Sequence, residues 1–284
     1  MAEIIRIDDF NSSLLDPYVR LTGAEMRSKL EPERAIFIAE SPTVIEVALD
    51  QGCVPVSLLC DERLLGGDVE KIIKRLEDYP TPTGRGVPIY VGKTEMLRNI
   101  TGFELTRGAL CEMRRPAPTP LESILESSSR IAILEQIADA TNVGAIFRSA
   151  AALGIDAVLL TPTCCDPYSR RAVRVSMGCA LMLPHARIGE GTKWYETGLP
   201  ILRKYGFTTV AMALTDASVT PEDEKVKSAE KLAIILGTEG TGLMPKTVEG
   251  CDLTVKIPMT RGVDSLNVGA AAAIAFYTMK NKNS

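Results

Sequence analysis

The sequence has 284 residues, of which 45% are hydrophobic and 24% charged, ordinary proportions for a globular protein. This length favours two domains, each large enough to bury its own core. The formal net charge of −4 argues against a protein that coats nucleic acid non-specifically, because such binding needs many cations opposite the phosphates. We therefore expect any contact with nucleic acid to be local.

Targeting and metal-binding patterns are missing from the sequence. The chain starts Met-Ala-Glu-Ile-Ile-Arg, without a basic segment before an apolar one, and its longest uncharged apolar run, Gly269 to Phe276, is too short for a membrane span. Seven cysteines without CxxC spacing and a single histidine, His185, form no conventional zinc motif. We expect a soluble, cytoplasmic protein with reduced thiols, no membrane contact and no metal.

The N-terminal part alternates short apolar segments with segments of helical periodicity, which predicts a small α/β domain. The predicted strands are Ala35–Ile38, Val54–Leu59 and Val87–Tyr90. The predicted helices are Thr43–Leu49 and Val69–Leu76. Ser41 is the predicted N-cap of the first helix, with Pro42 at its first position.

A proline-rich segment marks the domain boundary. Pro116, Pro118 and Pro120 deny the backbone hydrogen-bond donors and favour an extended chain. We therefore predict an N-terminal domain over residues 1–115, a linker over 116–128 and a C-terminal domain over 129–284.

The C-terminal part alternates continuous apolar runs with helical segments, the pattern of parallel strands that are buried on both faces. The predicted strands are Ile131–Ile137, Ala157–Leu160, Thr208–Leu214 and Leu232–Leu236. The predicted helices are Val143–Leu153 and Leu266–Met279, the second with Asp264 and Ser265 as candidate N-caps. This order predicts an α/β domain with a mostly parallel sheet covered by helices.

Three segments of this domain place polar residues and glycines next to strand ends. Asn142 and Arg148 enclose Val-Gly-Ala-Ile-Phe, Glu239 lies among three glycines, and Ser265 and Asn267 precede the last helix. Each segment also has a purely structural interpretation, because Asn and Ser are good N-caps and glycines suit tight turns. The glycine spacing matches neither a GxGxxG motif nor a P-loop, which disfavours a nicotinamide enzyme.

Taken together and in this order, the three segments resemble the SpoU/TrmH branch of the SPOUT methyltransferases. The resemblance covers about Ile131 to Met279 and includes the intermediate segment Asp166–Gly178. The N-terminal region, with Phe37–Glu40 and Gly108–Cys111, is similar to the small ribosomal-protein-like substrate domain that these enzymes often carry. The resemblance implies a trefoil-knotted C-terminal domain behind a small α/β domain that binds RNA.

The activity that the resemblance implies is transfer of a methyl group from S-adenosylmethionine to a ribose 2′-hydroxyl of structured RNA by a homodimer. Ribosomal RNA is favoured over transfer RNA as the substrate. The implied catalytic residues are Asn142, Arg148, Glu239, Ser265 and Asn267. The implied cofactor-binding residues, on the knotted loops, are Leu214, Gly237, Gly242, Ile257, Met259 and Leu266.

The arginines take different roles in this interpretation. Arg170, Arg171 and Arg174 form either a solvated helix face or, given the resemblance, a surface that positions RNA phosphates. Arg148 is expected to anchor a phosphate and stabilise an alkoxide rather than to act as a base, because an arginine normally stays protonated. In a dimer, Asn142 and Arg148 could serve a cofactor bound by the partner chain.

Two other functions remain open at this point. The first is a non-catalytic RNA-binding or ribosome-associated protein with the same fold, although the presence of all five implied catalytic residues speaks against it. The second is a methyltransferase that acts on a small molecule or a protein. The second predicts an N-terminal domain without RNA affinity and an arginine cluster that can be neutralised without effect.

Overall fold

The computed structural model describes residues 3–9, 11–27, 34–77, 79, 86–95, 97 and 108–280. The chain divides into two compact units. Unit 1 comprises Met1–Pro116 and Tyr168–Leu181, and unit 2 comprises Ala117–Pro167 and Met182–Ser284. Residues 168–181 thus group with unit 1, whereas the sequence interpretation assigned all of 129–284 to a single domain.

The strands of the described residues form one sheet in each unit. In unit 1 they are β1 (Ile4–Arg6), β2 (Ile36–Glu40), β3 (Pro55–Asp61), β4 (Ile89–Gly92) and β5 (Ala109–Arg114). In unit 2 they are β6 (Arg130–Leu134), β7 (Ala157–Leu160), β8 (His185–Arg187), β9 (Thr208–Met212), β10 (Leu232–Leu236) and β11 (Leu253–Val255).

The helices of the described residues are short to medium in length. In chain order they are α1 (Asp16–Val19), α2 (Gly23–Arg27), α3 (Pro42–Asp50), α4 (Gly67–Glu77), α5 (Leu121–Ser127), α6 (Ala140–Ala152), α7 (Arg170–Val175), α8 (Cys179–Met182), α9 (Trp194–Lys204), α10 (Glu224–Lys227), α11 (Pro245–Gly250) and α12 (Val268–Thr278). Two 3-10 helices, Ser13–Leu15 and Glu62–Leu64, complete the set.

The sheet of unit 1 is mixed, with strand order β1-β4-β3-β5-β2. The pairs β1–β4 and β3–β4 are parallel, whereas β5 pairs antiparallel with both β2 and β3. Helix α7 packs on the edge strand β2, and its Val173 is buried in the core that lies beneath α3 and α4. The predicted N-cap Ser41 is confirmed, with Pro42 at the first helical position, although the Ser41 side chain makes no capping hydrogen bond.

The sheet of unit 2 is parallel throughout, with order β11-β9-β10-β6-β7-β8. All residues of β6, β7 and β10 are buried, as strands covered on both faces require. The prediction of a parallel sheet is therefore confirmed. The bounds of β7 and β10 are those predicted, whereas β6 ends at Leu134, three residues before the predicted end.

The segment predicted as an extended linker contains a helix. Helix α5, Leu121–Ser127, begins directly after Pro120. It buries Ile124 and Leu125 in the core of unit 2. A proline is tolerated at a helix start, so the three prolines indicate an extended chain only as far as Pro120.

The remaining expectations concern thiols, metals and membranes. All seven cysteines are free, and burial raises the pKa of Cys53 to about 11 and that of Cys60 to about 12, so both stay protonated at neutral pH. Within the described ranges, no group of three or more acidic, cysteine or histidine side chains could hold a metal ion. In the same ranges, no helix combines the length and apolarity that crossing a membrane requires.

A buried arginine holds the edge of the unit 2 sheet where its strands begin. Arg130 is 3% exposed, and its guanidinium donates hydrogen bonds to four carbonyl oxygens. The acceptors are Ser129 (3.1 Å), Ala229 (2.8 Å), Glu230 (2.8 Å) and Met279 (3.2 Å). Arg130 thus ties the start of β6 to the approach to β10 and to the end of α12.

We expect Arg130→Met to lower the free energy of unfolding by about 2–4 kcal/mol, because the four carbonyl groups lose their hydrogen-bond donor in a buried site that excludes water. Chemical denaturation measures the change. The matched control is Lys193→Met, which removes an exposed cation paired with Glu196 and should cost less than about 0.5 kcal/mol. Equal stabilities of the two variants would contradict this role for Arg130.

Candidate active site

The loops that follow four neighbouring strands of unit 2 meet at one edge of its sheet. Strands β11, β9, β10 and β6 are adjacent and parallel, so their carboxyl ends lie together. The loops after β6, β9, β10 and β11 are residues 135–139, 213–223, 237–244 and 256–267. Nine of the predicted site residues lie on these loops, and Asn142 and Arg148 lie on α6, which starts at the same edge.

Three of the predicted catalytic residues form a hydrogen-bonded group, here called the amide cluster: Asn142, Glu239 and Asn267. Asn142 Nδ2 donates to Glu239 Oε1 over 3.1 Å, and Asn267 Nδ2 donates to Asn142 Oδ1 over 3.0 Å. Asn267 Nδ2 also donates to Glu239 Oε1, which further accepts a bond of 3.3 Å from the main-chain N–H of Val268. The cluster joins residues that are 125 positions apart in the chain.

The start of α12 explains why an asparagine precedes an alanine-rich helix. Asn267 is its N-cap, and its Oδ1 accepts from the N–H groups of Gly269 (3.0 Å) and Ala270 (3.3 Å). The predicted caps Asp264 and Ser265 are therefore wrong. One side chain caps the helix with its oxygen and donates to the amide cluster with its nitrogen, a combination that only an amide offers.

The start of α6 leaves Asn142 available for the amide cluster. The N-cap is Asp139, whose Oδ1 accepts from Thr141 N (2.7 Å) and Asn142 N (3.0 Å). The capping interpretation of Asn142 is thus wrong. Because Asp139 satisfies these main-chain donors, the side chain of Asn142 is left to bridge Glu239 and Asn267.

The two other predicted catalytic residues are not part of the amide cluster. Arg148 is exposed on α6, about 9 Å further along the helix axis than Asn142. Ser265 is exposed on the loop before α12. Within the part of the chain that the structure describes, neither side chain makes a hydrogen bond to the cluster, so a single chain does not bring all five residues together.

The loop from Gly237 to Met244, here called the glycine loop, is closed on itself. Thr238 and Gly242 exchange two main-chain hydrogen bonds of 3.2 and 3.1 Å. A Cβ atom on Gly237 would lie 2.4 Å from the carbonyl carbon of Gly242, so no other residue fits there. Gly240 and Gly242 have φ angles of 95° and 67°, which favour glycine. The loop places main chain at its surface, where a ligand can approach closely.

Apolar side chains lie on the loops after β9 and β11, at the same sheet edge as the glycine loop. Leu214 is 58% exposed and Leu266 is 37% exposed, whereas Ile257 and Met259 are half-buried. Ser218 orders the loop that carries Leu214, because its Oγ donates to Ala213 O over 2.8 Å. Exposed apolar groups beside accessible main chain fit a ligand with an aromatic base and an aliphatic arm, such as S-adenosylmethionine.

The predicted RNA-contacting arginines belong to unit 1. Arg170 Nε and Arg174 Nη1 form ion pairs of 2.8 and 2.9 Å with the two carboxylate oxygens of Glu40, at the end of β2. Arg171 is exposed on α7. Two of the three arginines therefore hold α7 on its strand, and Arg171 lies exposed on the same helix.

A buried carboxylate, Glu135, also lies at this edge of unit 2 and is not among the residues predicted from the sequence. The predicted strand Ile131–Ile137 includes it, whereas β6 ends one residue earlier. Its side chain accepts hydrogen bonds from Trp194, Met244 and Thr247. One sequence signal could have indicated Glu135 as a functional residue: it is an acidic residue directly after a continuous apolar run.

Comparison with known proteins gives the family. The model of the SpoU rRNA Methylase family matches residues 129–277. An uncharacterized tRNA/rRNA methyltransferase of Mycobacterium bovis is 37% identical over 264 residues, which are 93% of this chain and 87% of that protein. A 23S rRNA (guanosine-2′-O-)-methyltransferase of Acinetobacter baylyi, RlmB, is 29% identical over 76% of this chain and 83% of its own length.

The fold recurs in a solved structure. The AdoMet-bound rRNA methyltransferase from Sinorhizobium meliloti has a TM-score of 0.77 at 22% identity, over 98% of this chain and 97% of that one. The chain belongs to the SpoU rRNA Methylase family, a family of RNA methyltransferases. The predicted family and α/β fold are confirmed.

We expect Asn267→Asp to make stability depend on pH, because its carboxylate still caps α12 but faces that of Glu239. The repulsion raises the pKa of one carboxyl in the folded state. While this carboxyl is protonated, at low pH, the repulsion is absent and the folded state keeps its stability. As the pH rises through the raised pKa, the carboxyl ionises and that stability is lost. Thermal unfolding should give the wild-type Tm near about pH 4 and a lower Tm near about pH 8.

Asn267→Ala is the control, since it removes both the cap and the amide donor without adding charge. It should lose about 1 kcal/mol at both pH values. If the Tm of Asn267→Asp equals that of wild type near about pH 8, Asn267 and Glu239 are not in contact, and the amide cluster as described is incorrect.

Proposed function

We propose that this protein transfers a methyl group from S-adenosylmethionine to a ribose 2′-hydroxyl of structured RNA, with ribosomal RNA as the favoured substrate. The observation that carries the proposal is the amide cluster, which lies at the same sheet edge as the glycine loop. The specificity for the 2′-hydroxyl is that of RlmB of Acinetobacter baylyi, a relative by sequence.

The protein's task in this reaction is to orient a hydroxyl and to stabilise the charge that develops on it. S-adenosylmethionine supplies an electrophilic methyl group, and the ribose oxygen must approach in line with the bond that breaks. Every described hydrogen bond to Glu239 ends on Oε1, so Oε2 can accept one from a ribose hydroxyl. Asn142 and Asn267 fix the orientation of that carboxylate.

Arg148 acts on the RNA phosphate beside the reacting ribose. Its guanidinium anchors that phosphate and stabilises the developing alkoxide. Because one chain does not bring Arg148 to the amide cluster, we propose that it serves the site of the second protomer of a homodimer. Ile274 and Tyr277 on α12, the second of them 61% exposed, offer an apolar surface next to α6 for such an interface.

Unit 1 binds the RNA. Arg171 contacts a phosphate directly, and the ion pairs of Arg170 and Arg174 with Glu40 fix the helix that carries it. The net charge of −4 requires such contacts to be few and local. Together with the ribosomal-protein-like resemblance of the N-terminal region, this arrangement favours RNA over a small molecule or a protein as the substrate.

We expect Arg148→Ala to lower the methyl-transfer rate by about 100-fold or more while S-adenosylmethionine binding is retained, since the residue acts on the RNA. Transfer of labelled methyl measures the rate, and calorimetry measures cofactor binding. The control Arg203→Ala, which removes another partly exposed arginine of unit 2, should leave both unchanged. Equal loss of transfer and cofactor binding would place Arg148 on the cofactor instead.

We expect Arg171→Ala to lower the salt dependence of RNA affinity by about one unit of slope, because one phosphate contact is lost. Filter binding over a range of salt concentrations gives the slope. Lys74→Ala, which removes an exposed cation of unit 1 on α4, is the control and should leave the slope as in wild type. A slope that both variants share with wild type would remove Arg171 from the RNA-binding surface.

A further inference from the structure

Glu135 has a geometry that neither the family assignment nor the amide cluster explains. Its side chain is 1% exposed, and its two carboxylate oxygens accept three hydrogen bonds. Oε1 accepts from Met244 N over 2.6 Å, and Oε2 accepts from Trp194 Nε1 over 2.5 Å and from Thr247 Oγ1. The three described partners of this carboxylate are all uncharged donors.

The same residue holds both ends of the glycine loop. The Glu135 N–H donates to the carbonyl oxygen of Leu236, directly before the loop, over 2.8 Å. Its carboxylate accepts from the N–H of Met244, the last residue of the loop and the N-cap of α11. Met244 has no side-chain cap of its own, so Glu135 supplies an acceptor at the start of that helix.

Stability alone does not account for a buried carboxylate at this position. Removing an ion from water costs several kcal/mol, and well-packed apolar groups of similar volume often give equal or greater stability. What an apolar group cannot do is fix the position of a main-chain N–H. The three donors converge on Glu135 from α9, the loop end and α11, and thereby define where the loop closes.

We propose that Glu135 is a positioning residue that sets the conformation of the glycine loop and, through it, the affinity for S-adenosylmethionine. The part that concerns the cofactor rests on the proposed function, which places the cofactor against this loop. The loop also carries Glu239, so its closure fixes the carboxylate of the amide cluster. Glu135 contacts neither cofactor nor substrate and acts through the loop.

Glu135→Gln tests the proposal with the smallest change in shape. All three partners of the carboxylate are donors in the wild type, and a glutamine amide offers only one oxygen. If that oxygen faces Met244 N, the amide nitrogen faces the indole N–H of Trp194, and the opposite orientation sets two N–H groups against each other at Met244. We expect S-adenosylmethionine affinity to fall about 10-fold to 100-fold.

A second substitution should rescue this loss. Trp194→Phe removes the indole donor, so that in the double variant the glutamine oxygen accepts from Met244 and its nitrogen donates to the Thr247 hydroxyl, which can also accept. We expect Glu135→Gln with Trp194→Phe to bind S-adenosylmethionine within about threefold of Trp194→Phe alone. If Glu135 had only a structural role, the losses of S-adenosylmethionine affinity in the two single variants would add in the double variant, without rescue.

Arg130→Met is the matched control for lowered stability. It lies at the opposite end of the same strand, is buried to a similar degree and also bonds to main-chain groups. We expect it to lower Tm while leaving S-adenosylmethionine affinity unchanged. The proposal would be overturned if Glu135→Gln bound S-adenosylmethionine as tightly as wild type. It would also be overturned if the double variant bound it as weakly as Glu135→Gln.

Hydrogen exchange separates this proposal from the proposed function. In protein without cofactor, we expect the amides of residues 237–244 to exchange faster in Glu135→Gln than in wild type, and to slow again in the double variant. Unchanged exchange there would overturn the positioning role. Failure of the wild type to bind S-adenosylmethionine, with this exchange pattern intact, would contradict the proposed function and leave the role of Glu135 in the loop supported.

Discussion

Parallel pairing of β11, β9, β10 and β6 is the constraint on which the rest of unit 2 depends. Parallel strands end at the same edge, so four loops must meet there beyond the last hydrogen bonds of the sheet. Their main-chain donors then need acceptors that the sheet cannot supply. Two carboxylates meet this need, since Glu135 accepts from Met244 N and Glu239 accepts from Val268 N.

The two carboxylates occupy opposite environments, and this difference separates their roles. Glu135 is buried and all its partners are donors in fixed positions, which suits it to hold a loop. Glu239 is exposed, and its described hydrogen bonds all end on Oε1, so Oε2 is suited to accept one from a substrate hydroxyl. Because the glycine loop carries Glu239 and is held at both ends by Glu135, one segment of chain determines both the proposed cofactor surface and the geometry of the amide cluster.

The sequence predicted what local chemistry determines and missed what distant contacts determine. The continuous apolar run Leu232–Leu236 defined a buried parallel strand to the residue. By contrast, Asp264, Ser265 and Asn267 are all good N-caps by residue type. Local sequence does not identify Asn267 as the cap of α12, because what distinguishes it is a contact with Glu239, 28 positions away. The contacts that group α7 with unit 1 are likewise distant in sequence: Val173 is buried in the unit 1 core, and Arg170 pairs with Glu40, 130 positions earlier.

We propose that this sheet edge methylates a ribose hydroxyl of RNA. The most direct test incubates the purified protein with labelled S-adenosylmethionine and total RNA from a strain that lacks it, followed by nuclease digestion and mass spectrometry of the nucleosides. We expect a labelled 2′-O-methylated nucleoside from ribosomal RNA. Label on a base instead of a ribose, or no label although the cofactor binds and the ribosomal RNA is correctly folded, would contradict it.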